Sequence, residues 1–417
     1  MQLQIRVRLS VMMFLEYFIW GIWYVTLGTW LGQRLHFSGQ EIGLAAGTTA
    51  LGAMLSPFLV GLMADEFFAT QRMLAALHGV GGVLLWFTST QTTFGPLYVV
   101  LLVYSLCYMP TMALTNSLSF RQMKNPNQDF GSIRVLGTAG WIAAGLLIGY
   151  MGVESTAIPI RLAAAASILM AVYCLTLPHT PPLRSSSGFK IGNIFPAEAF
   201  NLFKDRNFTV FALASFLICI PLQFYYAFTN PFLNEIGVQN AAGKMTMGQM
   251  SELLFMVTLP WFFRRLGVKY TLILGMFAWV ARYLLFGFGN SSGLVWMLYL
   301  GIILHGICYD FFFVTGQVYV DQKAPVALRA AAQGLITFIT YGIGMFLGSW
   351  LSGKVVDVYA KLSSGGAVLH DWRSIWMVPA AGSAAVLVFF WVGFKGEASN
   401  RAAAVAGESP VSVASSD

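Results

Sequence analysis

Four ionisable side chains, Glu16, Glu252, Arg282 and Asp310, stand well inside long apolar runs, where an unpaired charge is costly unless it meets a cavity or a partner. Gln249 lies three residues before Glu252, so on a helix the amide and the carboxylate share one face. That pair is suited to bonding hydroxyl groups of a ligand, and a desolvated carboxyl group can take up and release a proton. The alternative for Glu252 is a structural carboxylate paired across the bundle. Arg134, Thr138 and Trp141 follow at i, i+4 and i+7 along one stripe. Gln223 shares a face with Tyr226, and His305 shares one with Tyr309. Together these stripes offer donors, acceptors and flat aromatic surfaces, the mixture that a small polar ligand with a ring requires. Asp310 is offset from the face of His305 and Tyr309. Arg282 is the one basic residue deep in a run, so a buried pair with Asp310 is expected, with a proton-carrying Asp310 as the other reading. Glu16 suits either a cavity or a hydrogen bond between helices. His305 and Asp310 also spell H-x4-D, a pattern of some membrane acyltransferases. Five residues along a helix rotate the two apart, which argues against a catalytic pair.

The elements that must carry these residues are membrane-spanning helices. Of 417 residues, 57% are hydrophobic and only 10% are charged, far from the composition of a water-soluble domain. Apolar runs of about 20 residues, each long enough to span a bilayer, fall near 9–31, 41–64, 72–91, 96–119, 133–152, 158–178, 207–233, 245–264, 268–288, 293–316, 328–357 and 374–394. The net charge of +7 reflects short basic loops, not a nucleic-acid surface. With the N-terminus cytoplasmic, 17 of the 24 Lys and Arg residues fall on inner segments and 6 on outer ones, which places both termini in the cytoplasm. The first run follows Arg6 and Arg8 but is too long for a signal peptide and holds Glu16, so it reads as a retained helix. The cysteines Cys107, Cys174, Cys219 and Cys308 lie inside apolar runs without pairing motifs, and neither a disulfide, a metal nor a cofactor is expected.

The expected fold is therefore an all-α membrane protein of twelve transmembrane helices in two six-helix halves, the major facilitator arrangement. The halves cover 1–178 and 207–395, joined by a cytoplasmic linker at 179–206 containing Pro181, Pro182 and Ser185 to Gly188, with a disordered tail at 396–417. The turn from Gly61 to Arg72 and the turn from Arg264 to Lys269 occupy matching places in the two halves. The first resembles the facilitator Gly-x-x-x-Asp loop, in which Asp65 and Arg72 would form a conformational charge relay.

On these residues the chain resembles the nucleoside:proton symporter family of the major facilitator superfamily. The resemblance runs from about Phe14 to Tyr359 and rests on Trp20 to Gly28, Tyr108 to Asn116, Ile133 to Trp141, Gln249 to Glu252, Ala278 to Arg282, Asp310 to Phe312 and Arg329 to Gly334. It implies proton-coupled import of a nucleoside across the bacterial inner membrane by a carrier working as a monomer. The implied pocket holds Arg134, Thr138, Gln223, Gln249, Glu252 and Tyr309, while Trp141, Tyr226, His305 and Glu16 depart from the family's usual residues. Candidates for proton coupling are Glu252, Asp310 and Glu16. A facilitator carrying another small polar solute, such as a sugar or a drug-like compound, is the alternative.

Overall fold

The computed structural model describes residues 2–63, 68–123, 125–181, 196–362 and 368–395. Long helices account for nearly all of them: α1 (Leu3–Arg34), α2 (Gly39–Met63), α3 (Thr70–Thr88), α4 (Phe94–Arg121), α5 (Pro126–Met151) and α6 (Ile158–Cys174). After them come α7 (Arg206–Glu235), α8 (Ala241–Phe288), α9 (Val295–Lys323), α10 (Arg329–Val358) and α11 (Trp372–Gly393). Among the described residues, eight helices are long and apolar enough to cross a membrane.

Local chemistry sets their ends. Pro126 opens α5, where its missing N–H is not needed, and Gly152, with φ 63, closes it in the left-handed region. Asp205 caps α7 by accepting from the Phe208 N–H at 2.9 Å. Asp371 does the same for α11 through the Ser374 N–H at 3.2 Å. The 48 residues of α8 would extend about 72 Å if straight, more than twice a hydrocarbon core of about 30 Å. The helix breaks at Gly267, whose φ of 69 and ψ of 178 suit a residue without Cβ, and so forms two limbs.

Helices α1–α6 pack on one another, α1 against α5 and α6, and α3 against α4 and α6. Among α7–α11, α8 packs on α9 and α11, while α7 packs on α10 and α11. The two groups meet through α2 with α10 and α5 with α8. Large apolar side chains such as Trp86, Leu169, Val172, Val257 and Trp391 remain exposed around the outside, as a surface solvated by lipid requires.

Two features depart from a purely helical expectation. A short antiparallel hairpin, β1 (Ala360–Leu362) and β2 (Val368–His370), pairs Ala360 with His370 and joins α10 to α11. Its edge is held by Glu235, which accepts from the His370 backbone N–H at 2.8 Å. The beginning of the expected linker is docked, not free: Thr180 donates its N–H to Gln71 Oε1 at 2.9 Å and accepts from the Thr70 N–H at 2.9 Å.

Apart from the contact of Tyr24 with Gln223 beside the cavity, the described side-chain hydrogen bonds between the α1–α6 group and the α7–α11 group lie at the hairpin end. Asp357 at the end of α10 accepts from the Gly39 and Gln40 N–H groups, at 2.6 and 2.8 Å. Buried Glu154 accepts from Asn230 Nδ2 at 2.7 Å, Asn234 Nδ2 at 2.9 Å and the Ala242 N–H at 3.0 Å. Thr29 donates to Asn230 Oδ1 at 2.5 Å. Beneath these, a Cβ on Gly43 would stand 2.1 Å from the Ser349 carbonyl oxygen, and one on Gly353 would stand 2.3 Å from that of Gly39. The α2–α10 backbones therefore meet almost directly.

Candidate functional site

Between the two groups of helices lies a cavity of about 170 Å³. The stripe on α5 delivers Arg134, Thr138 and Trp141 to one wall, and the first limb of α8 delivers Gln249 and Glu252 to another. Helix α7 contributes Tyr226, and α9 contributes His305 and Tyr309. Helical spacing thus aims each stripe, and the packing of α5 on α8 brings two of them together. The Arg134 guanidinium rests 4.1 Å from the centre of the Tyr17 ring, held by a cation–π contact within the wall. The Tyr309 hydroxyl accepts from Tyr341 OH at 3.0 Å. Trp20 meets Trp141 edge-on at 5.3 Å and 78°, forming an aromatic corner suited to a flat ring.

Several residues of this wall were not singled out by spacing: Tyr17, Trp20, Tyr24, Thr49 and Tyr341. Tyr17, Trp20 and Tyr24 recur at i, i+3 and i+7, a stripe that could have marked α1 as a cavity helix. Tyr341 lies in a π-helical stretch, Phe338–Gly344, which breaks the period that would reveal it.

Two expected placements differ in the structure, and Glu16 takes one of its two readings. Gln223 is buried but does not line the cavity, lying instead against the Tyr24 hydroxyl. Arg282 and Asp310 do not pair. Arg282 sits over the rings of Tyr225 at 4.3 Å and Trp279 at 5.1 Å, and its Nη2 is 3.2 Å from His305 Nδ1. Asp310 opens a π-helical turn, Asp310–Val314, and both of its carboxylate oxygens are buried without a hydrogen-bond partner among the described residues. The widened turn shifts the register there, so α-helical spacing misjudges where Asp310 points. Glu16 does not line the cavity. It joins helices, accepting from Thr111 Oγ1 at 2.6 Å and meeting His78 Nε2 at 3.0 Å, while its own carbonyl accepts from Tyr108 OH at 2.5 Å. Of the expected charge relay, Asp65 lies outside the described residues, and Arg72 is exposed in the first turn of α3. Among the described residues, no cluster of His, Cys, Asp or Glu is arranged to hold a metal ion.

A family model described as nucleoside H+ symporter matches residues 3–399. The chain belongs to the nucleoside H+ symporter family. This symporter chain is 43% identical over 408 residues to the putative nucleoside transporter YegT of Escherichia coli K12, covering 95% of each. It is 33% identical to the xanthosine permease of the same organism, over 94% of this chain and 96% of that one. The crystal structure of the nucleoside transporter NupG matches the symporter fold with a TM-score of 0.86 at 31% identity, covering 95% of this chain and 100% of the other. The family and these relatives are transporters, not enzymes, and the chain is a multi-pass membrane protein.

Proposed function

We infer that this symporter imports nucleosides together with protons by alternating access across the bacterial inner membrane. One observation carries the reading: a cavity between the two helix groups in which Glu252 and Gln249 face Arg134 and an aromatic wall. The carboxylate is suited to accept from neighbouring ribose hydroxyls, and the aromatic corner offers ring contact for a base. Counting the two limbs of α8 separately and adding α2, α3 and α6 to the eight long apolar helices gives twelve spans, six in 1–178 and six in 207–395. Basic residues on the inner turns favour both termini in the cytoplasm, which makes the hairpin end the outer face. The outer face is then closed and the cavity belongs to an inward-facing state. We assign proton coupling to Glu252, the carboxylate on the cavity wall, ahead of Asp310. Glu16 is a structural hub, Asp65 and Arg72 serve gating, and the monomer suffices for transport.

Competition against one labelled nucleoside in proteoliposomes tests the reading. Uridine and adenosine should compete, and their dideoxy forms should compete at least several-fold less, because absent hydroxyls leave Gln249 and Glu252 unpaired. Uracil and ribose should compete poorly. Competition by uracil equal to that of uridine would remove the sugar-reading role of α8. Competition by sugars alone would replace nucleosides with another polar solute.

A further inference from the structure

His305 is the cavity residue whose hydrogen-bonding sense is fixed by something outside the cavity. Its Nδ1 is 3.2 Å from Nη2 of Arg282, a side chain with no solvent exposure. A guanidinium has only N–H groups, so it donates, and Nδ1 must accept. An imidazole that accepts at Nδ1 bears its hydrogen on Nε2. The ring is not free to exchange its two nitrogens. Tyr225 stacks on it at 5.1 Å and 17°, and Tyr226 meets it edge-on at 6.1 Å and 79°. Arg282 is itself held against Tyr225 and Trp279. Among the described residues no hydrogen bond reaches His305 Nε2, which leaves that N–H for a ligand in the cavity that His305 lines.

We propose that Arg282 is a positioning residue that locks His305 as a hydrogen-bond donor, making the site select nucleobases with a carbonyl at that edge over their amino analogues. The proposal rests on the nucleoside reading above. A ring carbonyl accepts the Nε2–H. An exocyclic amine meets it donor against donor, leaving two desolvated N–H groups unpaired. Uridine against cytidine, and inosine against adenosine, exchange a carbonyl oxygen for an amine and, with it, the adjacent ring N–H for a bare ring nitrogen, so the ratio tests this edge as a whole.

Uptake in proteoliposomes should give a KM at least about fivefold lower for the carbonyl member of each pair. His305→Phe keeps a flat ring but removes the donor, and should bring each pair within about twofold by weakening the carbonyl member alone. Arg282→Met should narrow the ratio with His305 still present. Nitrogen-15 spectra of histidine-labelled protein, assigned by the signal missing from His305→Phe, should show His305 protonated at Nε2 alone in the unaltered carrier. Arg282→Met should show both tautomers, a change that a merely space-filling role would not produce. An Nδ1–H tautomer in the unaltered carrier overturns the lock even if Arg282→Met fails to fold. Equal KM within both pairs, or a ratio unmoved by His305→Phe, overturns the selectivity. Failure of all four nucleosides to compete would instead sink the nucleoside reading and this proposal with it.

Discussion

Glu154 offers the sharpest handle on the proposed transport cycle, because its three hydrogen bonds cross between the helix groups at the hairpin end. Glu154→Ala removes the acceptor for Asn230 Nδ2, Asn234 Nδ2 and the Ala242 N–H. Asn234 Nδ2 retains the Asn230 carbonyl at 3.0 Å, so two donors are stranded, not three. They are stranded only while the hairpin end is closed, since an opened end hydrates them. At roughly 1–2 kcal/mol for each, the closed state loses about 2–4 kcal/mol relative to the open one. That shifts the ratio of outward-open to inward-open molecules by about 30- to 1000-fold. Spin labels at Thr92 and Ser291, on exposed turns of the two groups at the hairpin end, report the change as an inter-label distance. The variant should populate a longer distance that is minor in the unaltered protein, and uptake should slow as return to the inward state becomes limiting. Glu154→Gln, which keeps one acceptor oxygen, should fall between. An unchanged distance distribution in Glu154→Ala would refute the assignment of these bonds as a closure element.

Glu252→Gln should abolish accumulation driven by a pH gradient while sparing nucleoside exchange; uphill uptake with unaltered pH dependence would pass the coupling role to Asp310. Arg282→Met and Asp310→Asn should be additive in unfolding free energy within about 0.5 kcal/mol, as sites without a shared contact are; a double variant that recovers stability would restore the pairing rejected above. Glu16→Ala should lower stability by about 1–3 kcal/mol by stranding His78 Nε2, since Thr111 Oγ1 retains the Tyr108 carbonyl. Glu16→Gln, still able to bond both, should lose much less, and equal losses in the two variants would point to charge and not to hydrogen bonding.

Spacing within one helix reads reliably which side chains stand together, and it grouped Arg134 with Thr138 and Trp141, and Gln249 with Glu252, on the faces that the cavity uses. It does not read how a neighbouring helix is rotated. Spacing alone therefore points Arg282 to Asp310, whereas the preceding turn of α9 presents His305 to it. The same limit explains Gln223: it shares a face with Tyr226, yet a small rotation of α7 leaves only the tyrosine on the cavity wall. Regular periodicity also fails at π-helical turns, and two of these, at Asp310–Val314 and Phe338–Gly344, adjoin Tyr309 or include Tyr341. The family was legible because its short motifs lie along most of the chain. The hairpin between α10 and α11 was not, since six paired residues between two apolar runs leave little alternation to detect.

The glycine seam between α2 and α10 bears on speed. At Gly39, Gly43 and Gly353 the backbones touch, and only a few side chains, Val356 on Gly39, Phe346 on Gly47 and Met54 on Gly342, enter the seam. A seam of long side chains must change rotamers in concert before it parts, and each such change adds to the activation barrier. Here little besides the Asp357 cap needs to be undone along the α2–α10 line. The two helices can separate with few side chains to disengage, so much of the barrier to opening falls to a few polar bonds. The enthalpy of activation for turnover should then report chiefly on Asp357 and Glu154, and it is set at the hairpin end, away from the cavity.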